Sequence, residues 1–238
     1  MDKTLNFHFT DRCNFKCKHC FINMAGRELN LDECKRIIDK LTEMNQFSRI
    51  NLAGGEPMLA LHLQEIIDYV LLKGFKCSMI TNGSLLNEQF IIHNKNKLSM
   101  IGISVDSLDD DTNKLIGRKT IREIYCLAKL IKQQGIKLKI NICVSKLNMH
   151  VDFTQMIEQI RPDRLKILQV LSSPHLTNPE MFLLSDKQFT EICQSLERYH
   201  PICENNEYME KSYWIVDSEG NYGTDNLHIK SSTKTKLI

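Results

Sequence analysis

The chain has 238 residues, of which 42% are hydrophobic and 25% charged, with a formal net charge of +2. That is the balance of a globular domain with enough apolar material for a core, and it excludes a collagen or a disordered tail. No run of about 18 apolar residues occurs, so no bilayer span is expected. The charged start MDKTLNFHFTDRC is no signal peptide, and the near-neutral total lacks the basic footprint of a nucleic-acid binder.

Short apolar runs alternate with helical patterns along the chain. Strands are expected, in order, at residues 5–9, 49–52, 76–80, 100–105, 137–144 and 165–170, and helices at about 32–43, 61–72, 88–94, 121–133, 151–160 and 186–199. Alternation of this kind argues for a parallel sheet covered by helices. Six such units fall short of the eight that close a barrel of about 250 residues. The fold expected is therefore α/β, a partial, open (βα)6 TIM-like barrel over residues 1–200, with a short C-terminal extension over 201–238.

Side chains alternate faces along a strand, and the face packed on helices must be apolar. In KLKINICV that face is Leu138, Ile140, Ile142 and Val144, which turns Lys137, Lys139, Asn141 and Cys143 inward. The same parity turns inward Arg164 and Lys166, Arg49, Asn51 and Ala53, Asn6 and His8, and Gly102, Ser104 and Asp106. Cations from three strands thus converge on the interior, where few carboxylates are expected on the same faces. Buried cations without counterions are costly, so a bound polyanion such as a phosphate chain is expected there.

Nine cysteines without a secretory signal argue for metal binding or catalysis rather than a disulfide framework. Cys34, Cys77, Cys126, Cys143, Cys193 and Cys203 are scattered singly and read as small buried hydrophobes or incidental thiols. Cys13, Cys17 and Cys20 stand together as C-x3-C-x2-C directly after the first strand. Thiolates so spaced can hold three irons of a 4Fe–4S cluster and leave the fourth iron open for chemistry. On spacing alone, a zinc site completed by His8 or His19 stays open.

The triplet, together with Gly54-Gly55-Glu56-Pro57 closing the second strand, resembles the radical SAM superfamily and its GGEP motif. More of the chain resembles the viperin-like family of that superfamily, in NFHFTDRCNFKCKHCF, INLAGGEP, ITNGSLL, ISVDS with LIGR, KINICVSKLN, RLKILQVL and ENNEYMEKSYWIVD at 204–217. Three positions depart from the pattern: His19 stands where an aromatic is usual, Ala53 where a Ser precedes GGE, and Arg49 where vertebrate members have Lys. Tyr213 and Tyr222 are read as structural.

The resemblance implies a radical SAM dehydratase that converts a ribonucleoside triphosphate (CTP, UTP or GTP) to its 3′-deoxy-3′,4′-didehydro analogue, an antiviral chain terminator. A 5′-deoxyadenosyl radical would remove the ribose 4′ hydrogen and the 3′-hydroxyl would leave as water. Cys13, Cys17 and Cys20 would hold the 4Fe–4S cluster. Gly54, Gly55 and Glu56 would hold the amino group of S-adenosylmethionine, Ser104 and Arg118 its carboxylate, and Asn141 its ribose or adenosyl side. Asn6, Arg49, Asn51 and Asn82 would meet the ribose and phosphates, and Lys139, Arg164 and Lys166 would clamp the triphosphate. His8 is the candidate proton donor by strand parity. An external one-electron donor is implied, with neither nucleic acid nor membrane as partner. The chain ends at Ile238, soon after Asp217, where viperin-like enzymes continue, and it lacks the N-terminal amphipathic helix of vertebrate members, so a short cytoplasmic form is expected. Two other readings remain: a radical SAM enzyme acting on a different anion, and a cluster- or zinc-containing protein that binds nucleotides without catalysis.

Overall fold

In the computed structural model, residues 3–173, 176, 178–224 and 235–238 are described. Six parallel strands run side by side in chain order: β1 (Thr4–Thr10), β2 (Arg49–Gly54), β3 (Lys76–Thr81), β4 (Leu98–Ser104), β5 (Lys137–Val144) and β6 (Arg164–Gln169). The helices that return the chain between strands are α1 (Leu31–Met44), α2 (Leu63–Leu72), α3 (Glu88–His93), α4 (Asp110–Ile116) with α5 (Ile124–Gln133), and α6 (Thr154–Ile160). α7 (Asp186–Ser195) follows β6. This is the open (βα)6 barrel that the alternation implies.

The local reasons are visible in α1 and β5. Asn30 caps α1 by accepting from the Glu33 N–H at 2.9 Å, while the Glu33 carboxylate accepts from the Asn30 N–H at 2.8 Å, a reciprocal capping box. Cys34, Ile37, Ile38 and Leu41 then fall on one buried face. In β5 the apolar set Leu138, Ile140, Ile142 and Val144 is fully buried in the same core, which leaves the opposite face for the interior.

Several expectations need correction. α4 was not expected: its one buried apolar side chain, Ile116, gives no periodic signal, and Asp109 caps it by accepting from Thr112 N–H at 2.7 Å. Lys137 is exposed, because it sits at the outer end of β5. Cys193 and Cys203 are not solitary thiols but are joined as a disulfide between α7 and the strand that follows.

The segment after residue 201 joins the same sheet. β7 (Ile202–Glu204) lies parallel to β6, and after α8 (Asn206–Ser212) the chain re-emerges as β8 (Trp214–Val216), parallel to β1 on the opposite edge. β9 (Asn221–Thr224) and β10 (Thr235–Lys236) extend that edge antiparallel. α8 therefore bridges the two open edges of the barrel. Trp214 stacks on Tyr222 with ring centroids 5.3 Å apart, and Phe47 meets both rings edge-on at 5.8 and 6.4 Å.

Candidate active site

The barrel interior is a cavity of about 470 Å³, within the range of small-molecule sites. Its walls include the three clustered cysteines at one end and Arg49, Lys139, Arg164 and Lys166 on the strands. Small or polar side chains on the inner strand faces, Ala53, Ser78, Gly102 and Ser104, keep it open, whereas a closed barrel fills this space with branched residues.

Around the cysteine loop, backbone packs on backbone. Gly55 N–H donates to Thr10 O at 2.7 Å and Glu56 N–H to Arg12 O at 2.8 Å. A Cβ on Gly54 would collide with Thr10 O, and one on Gly55 with Arg12 O. The glycine pair thus seats the segment that leads into the thiols, while still lining the cavity. On the far side Lys18 N–H donates to Ile116 O at 2.8 Å. Cys13, Cys17 and Cys20 all face the cavity.

Glu56 is fully buried and its carboxylate already accepts from Thr81 Oγ1 at 2.6 Å, Asn82 N–H at 2.7 Å and Met58 N–H at 3.1 Å. Burial pushes its carboxyl pKa up against those donors. These contacts pin the loop after β3 beneath the glycines. Asn82, expected near ribose and phosphates, turns its amide to Asn14 Oδ1 at 2.9 Å and Cys13 Sγ at 3.8 Å.

A buried charge cluster lies beside the thiols. Asp106 is 1% exposed and accepts from Arg118 Nη1 at 3.0 Å, His19 Nε2 at 3.4 Å and Cys143 N–H at 3.0 Å. Burial alone would raise its pKa, but Arg118 and His19 outweigh it and hold the carboxyl at about 2. Arg118 also donates to Ser104 O at 2.7 Å and stacks 5.6 Å from the Phe15 ring. Two of the five guanidinium N–H donors are used in these contacts, and the rest remain for a ligand. Asn141 is buried and lines the cavity with its Oδ1 unpaired.

Across the barrel, Asn6, Asn51 and Ser78 form one layer: Asn51 Nδ2 donates to Asn6 Oδ1 and Ser78 Oγ to Asn51 Oδ1, both at 2.9 Å. His8 follows Asn6 on the same face, with Phe21 6.2 Å away ring to ring. Arg49 keeps a buried Nε without a partner. Lys139 is pushed down to about 7 by burial and then by Lys166 and Arg164. Carboxylates are nevertheless present: besides Asp106, Glu204 of β7 pairs with Lys166 at 2.5 Å. Tyr213 lies between them, accepting from Lys166 Nζ and donating to Glu204, and it lines the cavity rather than the outer core. Sequence reasoning missed this trio, although Glu204 and Tyr213 both stand in the quoted ENNEYMEKSY segment.

The Radical SAM superfamily family model matches residues 7–160. An S-adenosylmethionine-dependent nucleotide dehydratase of Thermoplasmatales archaeon (strain ISO4-H5) is 32% identical, over 94% of this chain and 83% of the relative. One of Flammeovirga pacifica is 31% identical, over 92% and 81%. This chain belongs to the radical SAM superfamily, among the S-adenosylmethionine-dependent nucleotide dehydratases. The viperin-like resemblance is borne out by the Siniperca chuatsi dehydratase RSAD2, 33% identical over 90% of this chain and 66% of the relative. The dehydratase chain also shares its fold with Streptococcus suis SuiB bound to S-adenosylmethionine, at TM-score 0.78 and 14% identity, covering 99% of this chain and 63% of that one. Native anSMEcpe with bound AdoMet gives 0.72 at 16% identity, covering 97% and 76%.

A radical SAM dehydratase uses a 4Fe–4S cluster and S-adenosylmethionine, and the residues present fit both. Among the described residues no three His, Cys, Asp or Glu side chains gather around a single-ion site, and the three thiols line one wall instead. Burial pushes Cys17 up to about 12 and Cys20 to about 11, so as cluster ligands they would need the metal's positive charge to ionise them. The unpaired Asn141 Oδ1 and the open donors of Arg118 suit the mixed donors and acceptors of S-adenosylmethionine. No helix among the described residues is long and apolar enough to cross a membrane.

Proposed function

We propose that this dehydratase acts on a ribonucleoside triphosphate, giving the 3′-deoxy-3′,4′-didehydro nucleotide. The observation that carries the substrate reading is the set Arg49, Lys139, Arg164 and Lys166 facing the same cavity as the thiols. When bound, the cluster and S-adenosylmethionine supply the one-electron chemistry that removes the ribose 4′ hydrogen. Cys13, Cys17 and Cys20 hold the cluster. Gly54 and Gly55 let S-adenosylmethionine approach the backbone, Ser104 and Arg118 take its carboxylate, and Asn141 accepts from its adenosyl part. Lys139 and Lys166 give point charges to the phosphates, and Arg49 and Arg164 bidentate ones. Asn6 and Asn51 orient the ribose. His8, one inward position beyond Asn6, delivers a proton to the leaving 3′-hydroxyl. Tyr213 and Met209 cover the side of the cavity that the six strands leave open, which keeps water away. An external one-electron donor supplies two electrons per turnover, one for removal of the 4′ hydrogen and one that closes the 3′,4′ alkene after the 3′-hydroxyl has left as water.

An anaerobic turnover assay tests this reading. Reconstituted protein, S-adenosylmethionine and a reductant are mixed with each ribonucleoside triphosphate in turn. Mass spectrometry follows 5′-deoxyadenosine and a nucleotide lighter by one water. Both products are expected with at least one triphosphate. If 5′-deoxyadenosine appears without a changed nucleotide, the substrate reading is wrong. If nucleotide binds and neither product forms on a loaded cluster, the protein is a binding protein.

A further inference from the structure

The Asn82 side chain is held more tightly than a substrate contact needs. Its Oδ1 accepts from Ser84 N–H at 2.9 Å and from Ser84 Oγ at 2.6 Å. A backbone N–H can only donate, so this contact identifies the amide oxygen and fixes which way Nδ2 faces. Nδ2 donates to Asn14 Oδ1 at 2.9 Å and to Cys13 Sγ at 3.8 Å. Asn14 Nδ2 returns to Ser84 Oγ at 2.9 Å and closes the ring. The Asn82 backbone N–H is anchored on the buried Glu56 carboxylate at 2.7 Å. Only 9% of the residue is exposed, so little water competes for the amide.

We propose that Asn82 is a tuning residue for the cluster, and that its side-chain N–H, aimed at the Cys13 sulfur, makes the cluster easier to reduce. This rests on the reading that Cys13 ligates the cluster. Reduction adds one electron, and part of that charge resides on the ligand sulfurs. An N–H donor stabilises the more negative form, and hydrogen bonds to sulfur are among the levers that set cluster potentials. Phe15 N–H, at 3.4 Å from the same Sγ, acts in the same sense. The chain thus explains why Glu56 is buried and triply bonded: it fixes the backbone from which Asn82 reaches the sulfur. Electron uptake precedes any use of S-adenosylmethionine, so the contact acts on the first step of the reaction.

The test is an anaerobic redox titration of the reconstituted full chain, followed by electron paramagnetic resonance. Asn82→Leu keeps the shape and removes the donor. Its midpoint potential is expected to move negative, each tenfold loss in electron affinity reading as about 59 mV, with S-adenosylmethionine and triphosphate dissociation constants unchanged. Asn14→Ala breaks the same ring but leaves the Asn82 N–H on sulfur, so its potential is expected not to move negative. Equal negative shifts in both variants would mean a disturbed loop and overturn the proposal. So would an unshifted potential, or weakened triphosphate binding at an unshifted potential, which would return Asn82 to the substrate. Should Asn82→Leu not take up iron, Asn82→Asp decides, since it can keep the Ser84 contacts and replaces the donor with an anion. Its potential must fall, and an unchanged value overturns the proposal. Wild-type protein that takes up no iron would instead sink the cysteine reading, and this inference with it.

Discussion

Lys139 and Asp106 are buried charges in opposite situations. Lys139 has like charges for neighbours, and its pKa falls to about 7. A free lysine titrates near about 10.4, so between those values the folded site binds fewer protons than the unfolded chain. Stability of the nucleotide-free protein therefore gains from this group as pH rises through that window. A triphosphate reverses the balance by favouring the charged amine. Binding at pH 8 is expected to take up a proton, seen by calorimetry in buffers of different ionisation enthalpy, and affinity should decline from pH 7 to 9. Lys139→Met should weaken triphosphate binding about ten- to a hundredfold and abolish the proton uptake. An unaltered uptake would assign the proton elsewhere. Asp106 shows the contrary sign. Its folded pKa of about 2 lies below the unfolded value of about 3.9, so its contribution, about 2–3 kcal/mol, is complete above about pH 4 and fades as pH falls towards 2. Asp106→Asn leaves Arg118 buried without its counterion and should cost about 3–5 kcal/mol at pH 6. The cost should shrink at pH 3, as urea unfolding of the metal-free protein would show.

At the scale of elements, the six strands and most helices were legible because period-two and period-3.6 patterns survive burial on one face. Lys137–Val144 fell on its expected bounds, since every second residue is a fully buried branched aliphatic. α4, β7, α8 and β8 were not legible. Three-residue strands carry too few positions for a period, and α4 buries one apolar side chain, Ile116, where α6 of the same length buries Met156, Ile157 and Ile160. For the same reason the Lys166–Glu204–Tyr213 trio stayed hidden, as Glu204 and Tyr213 have no strand parity to read. Parity did place Asn6, Arg49, Asn51, Lys139, Asn141, Arg164 and Lys166 on the cavity, but it says nothing of hydrogen-bond partners, such as those that Glu56 and Asn82 find within the protein. β8 is held to β1 through Leu5 opposite Trp214 and Phe7 opposite Val216, with Trp214 packed on Phe47 and Tyr222. Trp214→Ala should cost about 3 kcal/mol and loosen Tyr213 and Ile215, its cavity-lining neighbours. Hydrogen exchange should rise first in β8 and β9, and triphosphate affinity should drop while S-adenosylmethionine affinity holds. Equal losses for both ligands would mean that the segment supports the whole barrel.

Over the whole molecule, charge is nearly balanced, at +2, and anion attraction must therefore be local. The sheet register shows where. The cysteine loop leaves the C-terminal end of β1, whereas Arg49 lies opposite Thr4 at its start, and Lys139 and Arg164 face each other near the starts of β5 and β6. Thr4 to Thr10 covers six steps, about 20 Å at about 3.3 Å each. The thiols and the cations thus stand at opposite ends of one cavity, and on the proposed reading a triphosphate drawn to the floor would point its ribose up towards the thiols. Affinity should then follow phosphate number, falling from triphosphate to diphosphate to monophosphate by about tenfold for each charge-assisted hydrogen bond that the shorter chain cannot make. Because the floor is partly shielded from bulk ions, raising salt should weaken the triphosphate more than the monophosphate without levelling them. Equilibrium competition at two ionic strengths measures both trends. Equal affinities for the tri- and monophosphate would show that the cations serve a different anion, and the orientation of the nucleotide in the barrel would fall with them.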